Sequence, residues 1–156
     1  MKLGLAIDKG VRTLTAAALD EWGGDVLQLE ALSNGHALLA VGEELFRRHN
    51  LLERCHIDER SLRGFLLALE REYGGNAYHC AAHAADVAMS MHHFLTRCVP
   101  QRKCSDVELL AAYLGALCHD FRHPGTTNAH EVKVMSPLAL TYNDCLLYTS
   151  PSPRDS

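Results

Sequence analysis

Between Glu21 and Asp144, apolar residues recur at i, i+3, i+4 and i+7 almost throughout, and no stretch alternates apolar with polar residues long enough to specify a strand. A chain patterned in this way buries its apolar stripes by packing helix on helix, so the expected fold is all-α. Leu38, Leu39, Leu45 and Phe46 mark one amphipathic helix. Leu62, Phe65, Leu66, Leu69 and Tyr73 keep the helical spacing in a second, for which Asp58 offers an N-cap. Gly74-Gly75-Asn76 interrupts the pattern, and a third helix is expected from about Tyr78 towards Cys98, ahead of Pro100. Ser105-x-x-Glu108 has the form of a capping box and opens an apolar helix through Leu109, Leu110, Leu114 and Leu117 that ends near His119. Pro124-Gly125 forces a turn, and Ser136-Pro137 supplies the N-cap and N1 proline of a last helix.

The 156 residues, 47% hydrophobic and 22% charged, match one soluble globular domain that buries roughly two-thirds of its unfolded surface. A net charge of -4 carries no basic footprint for nucleic acid. The longest nearly unbroken apolar run, Leu109 to Cys118, falls far short of the ~20 residues of a membrane span. The six cysteines show no C-x-x-C pair and no export signal precedes them, so they are expected to be reduced, mostly buried thiols of a cytoplasmic protein. Residues 1–20 read as a leader or partial helix and 21–144 as the folded domain. From Tyr148 onward the chain turns to Ser, Pro and charge, and residues 145–156 are expected to be a disordered, non-native tail resembling a translated cloning adapter on a cut-off reading frame. No pattern in the chain speaks to oligomeric state.

Ten histidines are unusual, and their clustering after position 78 points to chemistry. In the predicted helix His79 and His83 stand four apart and share a face, with Asp86 about one turn later. His119 and Asp120 follow at the end of the apolar helix, with His123 beyond. Imidazole suits Zn²⁺, whereas a carboxylate suits Mg²⁺ or Mn²⁺ and has two oxygens with which to bridge two ions. Taken singly, His-x-x-x-His is a common helix pattern and His-Asp a common helix end.

Three longer strings carry more information: Tyr78-His-Cys-Ala-Ala-His-Ala-Ala-Asp-Val87, Cys118-His-Asp-Phe-Arg-His-Pro-Gly-Thr-Thr-Asn128 and Ser136-Pro-Leu-Ala-Leu-Thr-Tyr-Asn-Asp144. In order and separation they resemble the class I 3′,5′-cyclic-nucleotide phosphodiesterases. Trp22-x-x-Asp25 and the region of Glu44-Leu-Phe46 resemble the first helices of that family's catalytic domain. The resemblance implies the N-terminal part of a multi-helix, HD-type phosphodiesterase catalytic domain and hydrolysis of cAMP, cGMP or both to nucleoside 5′-monophosphates. It further implies that His79 is the general acid, that His83, His119 and Asp120 are metal ligands with Asp120 bridging two ions, and that His123 and Asp86 support those ligands. Tyr78, His79, His83 and Asp120 would meet the substrate. The implied cofactors are two divalent metals, Zn²⁺ at the tighter site and Mg²⁺ or Mn²⁺ at the second. Cys80 stands where the family usually has asparagine. The family's fourth protein ligand, its purine-gripping glutamine and an aromatic clamp lie in a stretch beyond the resemblance, so this chain by itself is expected to have little or no activity.

Outside the matched ligand positions, His92 and His93 read as packing or surface residues, Cys80 and Cys118 as small buried thiols, and Asn128 as a cap or turn residue. Two other readings share part of the pattern. One is a different HD-type metal phosphohydrolase, and the other is a non-catalytic helical regulatory fragment.

Overall fold

The computed structural model describes residues 7–98 and 104–142. The described residues are helical and contain no strand, as the periodicity requires. In chain order the helices are α1 (Lys9–Asp20), α2 (Val26–Leu32), α3 (Ala37–Arg48), α4 (Leu51–Arg54), α5 (Glu59–Glu72), α6 (Ala81–His93), α7 (Asp106–Cys118), α8 (Asn128–Lys133) and α9 (Pro137–Tyr142), with a π turn over Phe94–Cys98 extending α6. The chain divides after Arg122 into two compact units.

The caps follow local chemistry. Asp58 accepts the Ser61 amide at the start of α5, and Ser105 and Glu108 close the reciprocal capping box of α7. Two expectations shift. Residues 9–20 form a full helix, capped by Asp8 and buried along Val11, Thr15 and Leu19. The third predicted helix starts at Ala81, because Cys80 is extended (φ -119°, ψ 173°) and the Asn76 side chain accepts the amides of both Tyr78 and His79 at 3.0 Å. An asparagine that satisfies two amides in this way offers the backbone an alternative to the helix.

In the first unit, α6 lies between α3 and α7, and α5 packs on α3. Ala84, Ala85 and Ala88 are fully buried, and their small side chains let α6 come close to its neighbours. Leu38, Leu39, Val41, Leu45 and Phe46 of α3 form the centre of the core. Gly42 is required there, since a Cβ at that position would sit 2.8 Å from the Leu66 side chain. Phe65 departs from the expected stripe of α5 and is exposed, while Leu62, Leu66 and Leu69 are buried.

The N-terminus of α3 has no cap of its own: Glu30 accepts the Ala37 amide at 3.1 Å and Glu70 the Leu39 amide at 3.2 Å. At the other end of α3, His49 meets His92 and Tyr113. His49 Nε2, His92 Nδ1 and the Tyr113 hydroxyl lie 2.8–3.1 Å apart and satisfy one another. His92 therefore packs, as expected, and it does so almost fully buried.

The cysteines correct an expectation. Cys55, Cys80, Cys104 and Cys118 are half-buried and Cys98 is exposed, all as free thiols, because each stands at or beside a helix end. In the second unit Thr127 caps α8 by accepting the His130 amide at 3.2 Å, so Asn128 is the first helical residue and not the cap. Ser136 caps α9 ahead of Pro137, with the Ala139 amide 3.1 Å from its hydroxyl. The expected tail and Asn143-Asp144 lie outside the described residues.

Candidate metal centre

The apolar face of α7 sets its depth in the core, with Tyr113, Ala116 and Leu117 buried, so the helix ends where His119 and Asp120 can face α6. A helix end leaves carbonyls without partners. Here two of them are used to place the site. His119 Nδ1 donates to Ala116 O at 2.8 Å, and the Tyr73 hydroxyl donates to Leu117 O at 2.8 Å.

Because a carbonyl can only accept, Nδ1 of His119 carries a proton, which in the neutral ring leaves the Nε2 lone pair free for a metal. That nitrogen lies 3.1 Å from Asp120 Oδ2, and His83 Nε2 on α6 lies 3.4 Å from the same oxygen. The His83 and His119 rings are 5.2 Å apart. Burial and the neighbouring His119 lower the His83 pKa, against the opposing pull of Asp120 and Asp86. His83 is thus a neutral donor near pH 7.

Two imidazole nitrogens and a carboxylate oxygen converging this closely form a donor set suited to a positive centre between them. The donor atoms of His83, His119 and Asp120 all lie within 4.8 Å of one another. Ligands bound at about 2.1 Å to a tetrahedral or octahedral ion are separated by about 3.0–3.4 Å, the spacing observed on both sides of Asp120. The three residues therefore fit a divalent cation, which they could hold while leaving coordination positions open.

His79 reaches this place by a route other than the one its spacing suggests. It lies ahead of α6 and shares no helical face with His83, yet the Asn76 turn brings its ring to 6.4 Å from that of His83. Tyr78, half exposed, packs at 5.0 Å from the His79 ring and 4.6 Å from the His83 ring. Asp86 stands outside the three-ligand group. His123 belongs to the second unit, where its Nδ1 accepts the Gly125 amide at 3.0 Å. Cys118 sits beside the site with its pKa raised by burial, a thiol poorly disposed to act as a thiolate ligand.

Sequence reasoning missed two residues. Asn76 sets the turn that presents His79, and its place beside Gly74-Gly75 was the only signal. Tyr73 fits the apolar stripe of α5, but its hydroxyl lies 2.8 Å from Leu117 O and 3.4 Å from the Asp120 amide.

Comparison with known proteins gives the chain its family. Residues 78–148 match the model of the family described as 3'5'-cyclic nucleotide phosphodiesterase. The chain is 42% identical over 126 residues to the probable 3',5'-cyclic-AMP phosphodiesterase pde-4 of Caenorhabditis elegans, covering 81% of this chain and 19% of that protein. It is 43% identical over 128 residues to the human dual specificity calcium/calmodulin-dependent 3',5'-cyclic nucleotide phosphodiesterase 1B, covering 81% and 24%. The chain thus spans about a fifth to a quarter of the length of these curated relatives. A crystal structure of the phosphodiesterase domain of the RhoPDE fusion protein from the choanoflagellate Salpingoeca rosetta superposes with a TM-score of 0.65 at 34% identity, over 87% of this chain and 39% of that one. That likeness runs well beyond the histidine motifs and into the helices that carry them, and the chain belongs to the 3'5'-cyclic nucleotide phosphodiesterase family.

Proposed function

We propose that the chain is the metal-binding part of an enzyme that hydrolyses 3′,5′-cyclic nucleotides, cAMP, cGMP or both, to nucleoside 5′-monophosphates. The observation that carries this reading is the convergence of His83, His119 and Asp120 on one point beside His79, within a segment that matches the family.

Hydrolysis adds water across the P–O3′ bond, so phosphorus gains the hydroxyl and the departing ribose oxygen gains the proton. A bound divalent ion supplies Lewis acidity: it attracts the anionic phosphodiester, polarises it and lowers the pKa of water. His83, His119 and Asp120 would hold that ion, and Asp120 has a second carboxylate oxygen to offer a neighbouring one. Zn²⁺ at the nitrogen-rich position and Mg²⁺ or Mn²⁺ at the second suit those donors. His79, a nitrogen of which lies within 4.8 Å of an Asp120 carboxylate oxygen, would donate the proton to O3′. Tyr78 would line the side on which substrate enters, and Asp86 would support the ligands. The chain's net charge is negative, so the ions would provide the attraction for an anionic substrate that the chain lacks.

A cytosolic setting goes with this reading, supported by the free thiols Cys55, Cys80, Cys98, Cys104 and Cys118. No helix among the described residues is long and apolar enough to cross a membrane.

Grafting residues 22–144 into the human relative in place of its corresponding segment tests the proposal. The chimera is expected to convert cAMP or cGMP to the 5′-monophosphate in the presence of Mg²⁺ or Mn²⁺. A folded chimera, judged by circular dichroism, that hydrolyses neither nucleotide would contradict it.

A further inference from the structure

We propose that Tyr73 is a positioning residue for the metal centre, acting through the C-terminal end of α7. This inference rests on the reading of His83, His119 and Asp120 as metal ligands. Tyr73 stands at the C-cap of α5, its side chain almost fully buried, and reaches from one helix to the end of another.

Its hydroxyl does two things there. It donates to Leu117 O at 2.8 Å, closing a carbonyl that α7 leaves open, and it receives the Asp120 amide at 3.4 Å. One oxygen thus touches both sides of the bend that turns the chain out of α7, two residues before His119 and at Asp120 itself. Its ring packs edge-on against Phe121, with centroids 6.4 Å apart. The preceding residue, Glu72, takes Arg122 in an ion pair at 2.5 Å, so the end of α5 grips the 117–122 bend at successive points. Arg122 has φ +58°, a left-handed conformation that such a grip would hold in place.

A phenylalanine would keep the ring against Phe121 and lose only the hydroxyl. Leu117 O would then be buried without that partner, and Asp120 would lose the bond that fixes its backbone. The two donors at the end of α7 would hold their spacing to His83 on α6 less tightly.

The test is a Co²⁺ titration of the full chain, followed by visible absorption, for the wild type, Tyr73→Phe and Tyr113→Phe. Tyr113→Phe removes an equally buried hydroxyl from the histidine cluster, away from the ligands, and controls for loss of stability. The expected result is roughly tenfold weaker Co²⁺ binding and a weaker, shifted d–d band in Tyr73→Phe, with Tyr113→Phe like the wild type, as for residues that orient metal ligands. Wild-type affinity and spectrum in a folded Tyr73→Phe would overturn the inference while leaving the metal-site reading intact. Absence of Co²⁺ binding by the wild type would overturn that reading, and this inference with it. If Tyr73→Phe does not fold, ring-labelled tyrosine in the wild-type chain decides: the Tyr73 resonance is expected to move on adding Zn²⁺ while Tyr113 stays still, and an unmoved Tyr73 would overturn the inference.

Discussion

At the scale of single residues, His83, His119 and Asp120 are proposed to hold an ion and His79 to move a proton. His83 Nε2 and His119 Nε2 lie 3.4 and 3.1 Å from one Asp120 oxygen, while the His79 ring is 6.4 Å from that of His83 and offers Asp120 a nitrogen within 4.8 Å. Removing a ligand should therefore be felt in metal binding first. His83→Ala or Asp120→Ala is expected to weaken binding of a divalent ion by tenfold or more, measured by calorimetry on the purified chain. Replacing Cys118 by Ala is expected to leave the metal affinity unchanged, since burial disfavours its thiolate. His83, His119 and Asp120 were singled out in the sequence because their strings resemble those of the family, and the structure brings their side chains together. Tyr73 was not, because its spacing is that of a core residue and its partners, Leu117 and Asp120, are 44 and 47 residues away along the chain.

Among the elements, what could be read in advance was what the chain settles locally. The capping box at Ser105 and Glu108 and the caps at Asp58 and Ser136 involve partners three residues away. Ser105→Ala is expected to cost about 1 kcal/mol, seen as a fall of about 2–4 °C in Tm by thermal unfolding. The start of α6 was set three residues too early, since helical spacing says nothing of an asparagine side chain that captures two amides. The same turn corrects the expected shared helix face: His79 lies ahead of α6, with its ring 6.4 Å from that of His83. The capping of α3 by Glu30 and Glu70 was likewise out of reach, because both carboxylates arrive from other helices. For α6 itself, Ala85→Leu is expected to destabilise the unit by at least about 1–3 kcal/mol in urea denaturation, since a fully buried alanine leaves no room for the larger chain.

For the whole molecule, stability should depend on pH through the His49–His92–Tyr113 cluster. Burial, then the neighbouring His49 and Arg48, push His92 down to about 4, and burial with Arg48 and Arg54 also lowers His49. Asp20 opposes this at His92. A depressed histidine pKa means that the unfolded chain takes up the proton first as pH falls. The cluster's contribution is complete above about pH 6.5 and is lost progressively towards pH 4, by up to about 3 kcal/mol for His92. Urea midpoints measured between pH 7 and 4.5 should fall accordingly, with a shallower dependence in His92→Leu, and an unchanged slope would contradict this account.

The same scale holds the central claim, that one face of a helical framework carries an ion and a separate proton donor for opening a cyclic phosphodiester. The most direct measurement compares metal content and hydrolysis of cAMP and cGMP in the chimera bearing residues 22–144, alone and with His79→Ala or Asp120→Ala. The account predicts that His79→Ala keeps its metal and loses about a hundredfold or more in turnover, and that Asp120→Ala loses both. Equal metal retention in all three proteins, or turnover that survives His79→Ala, would contradict it.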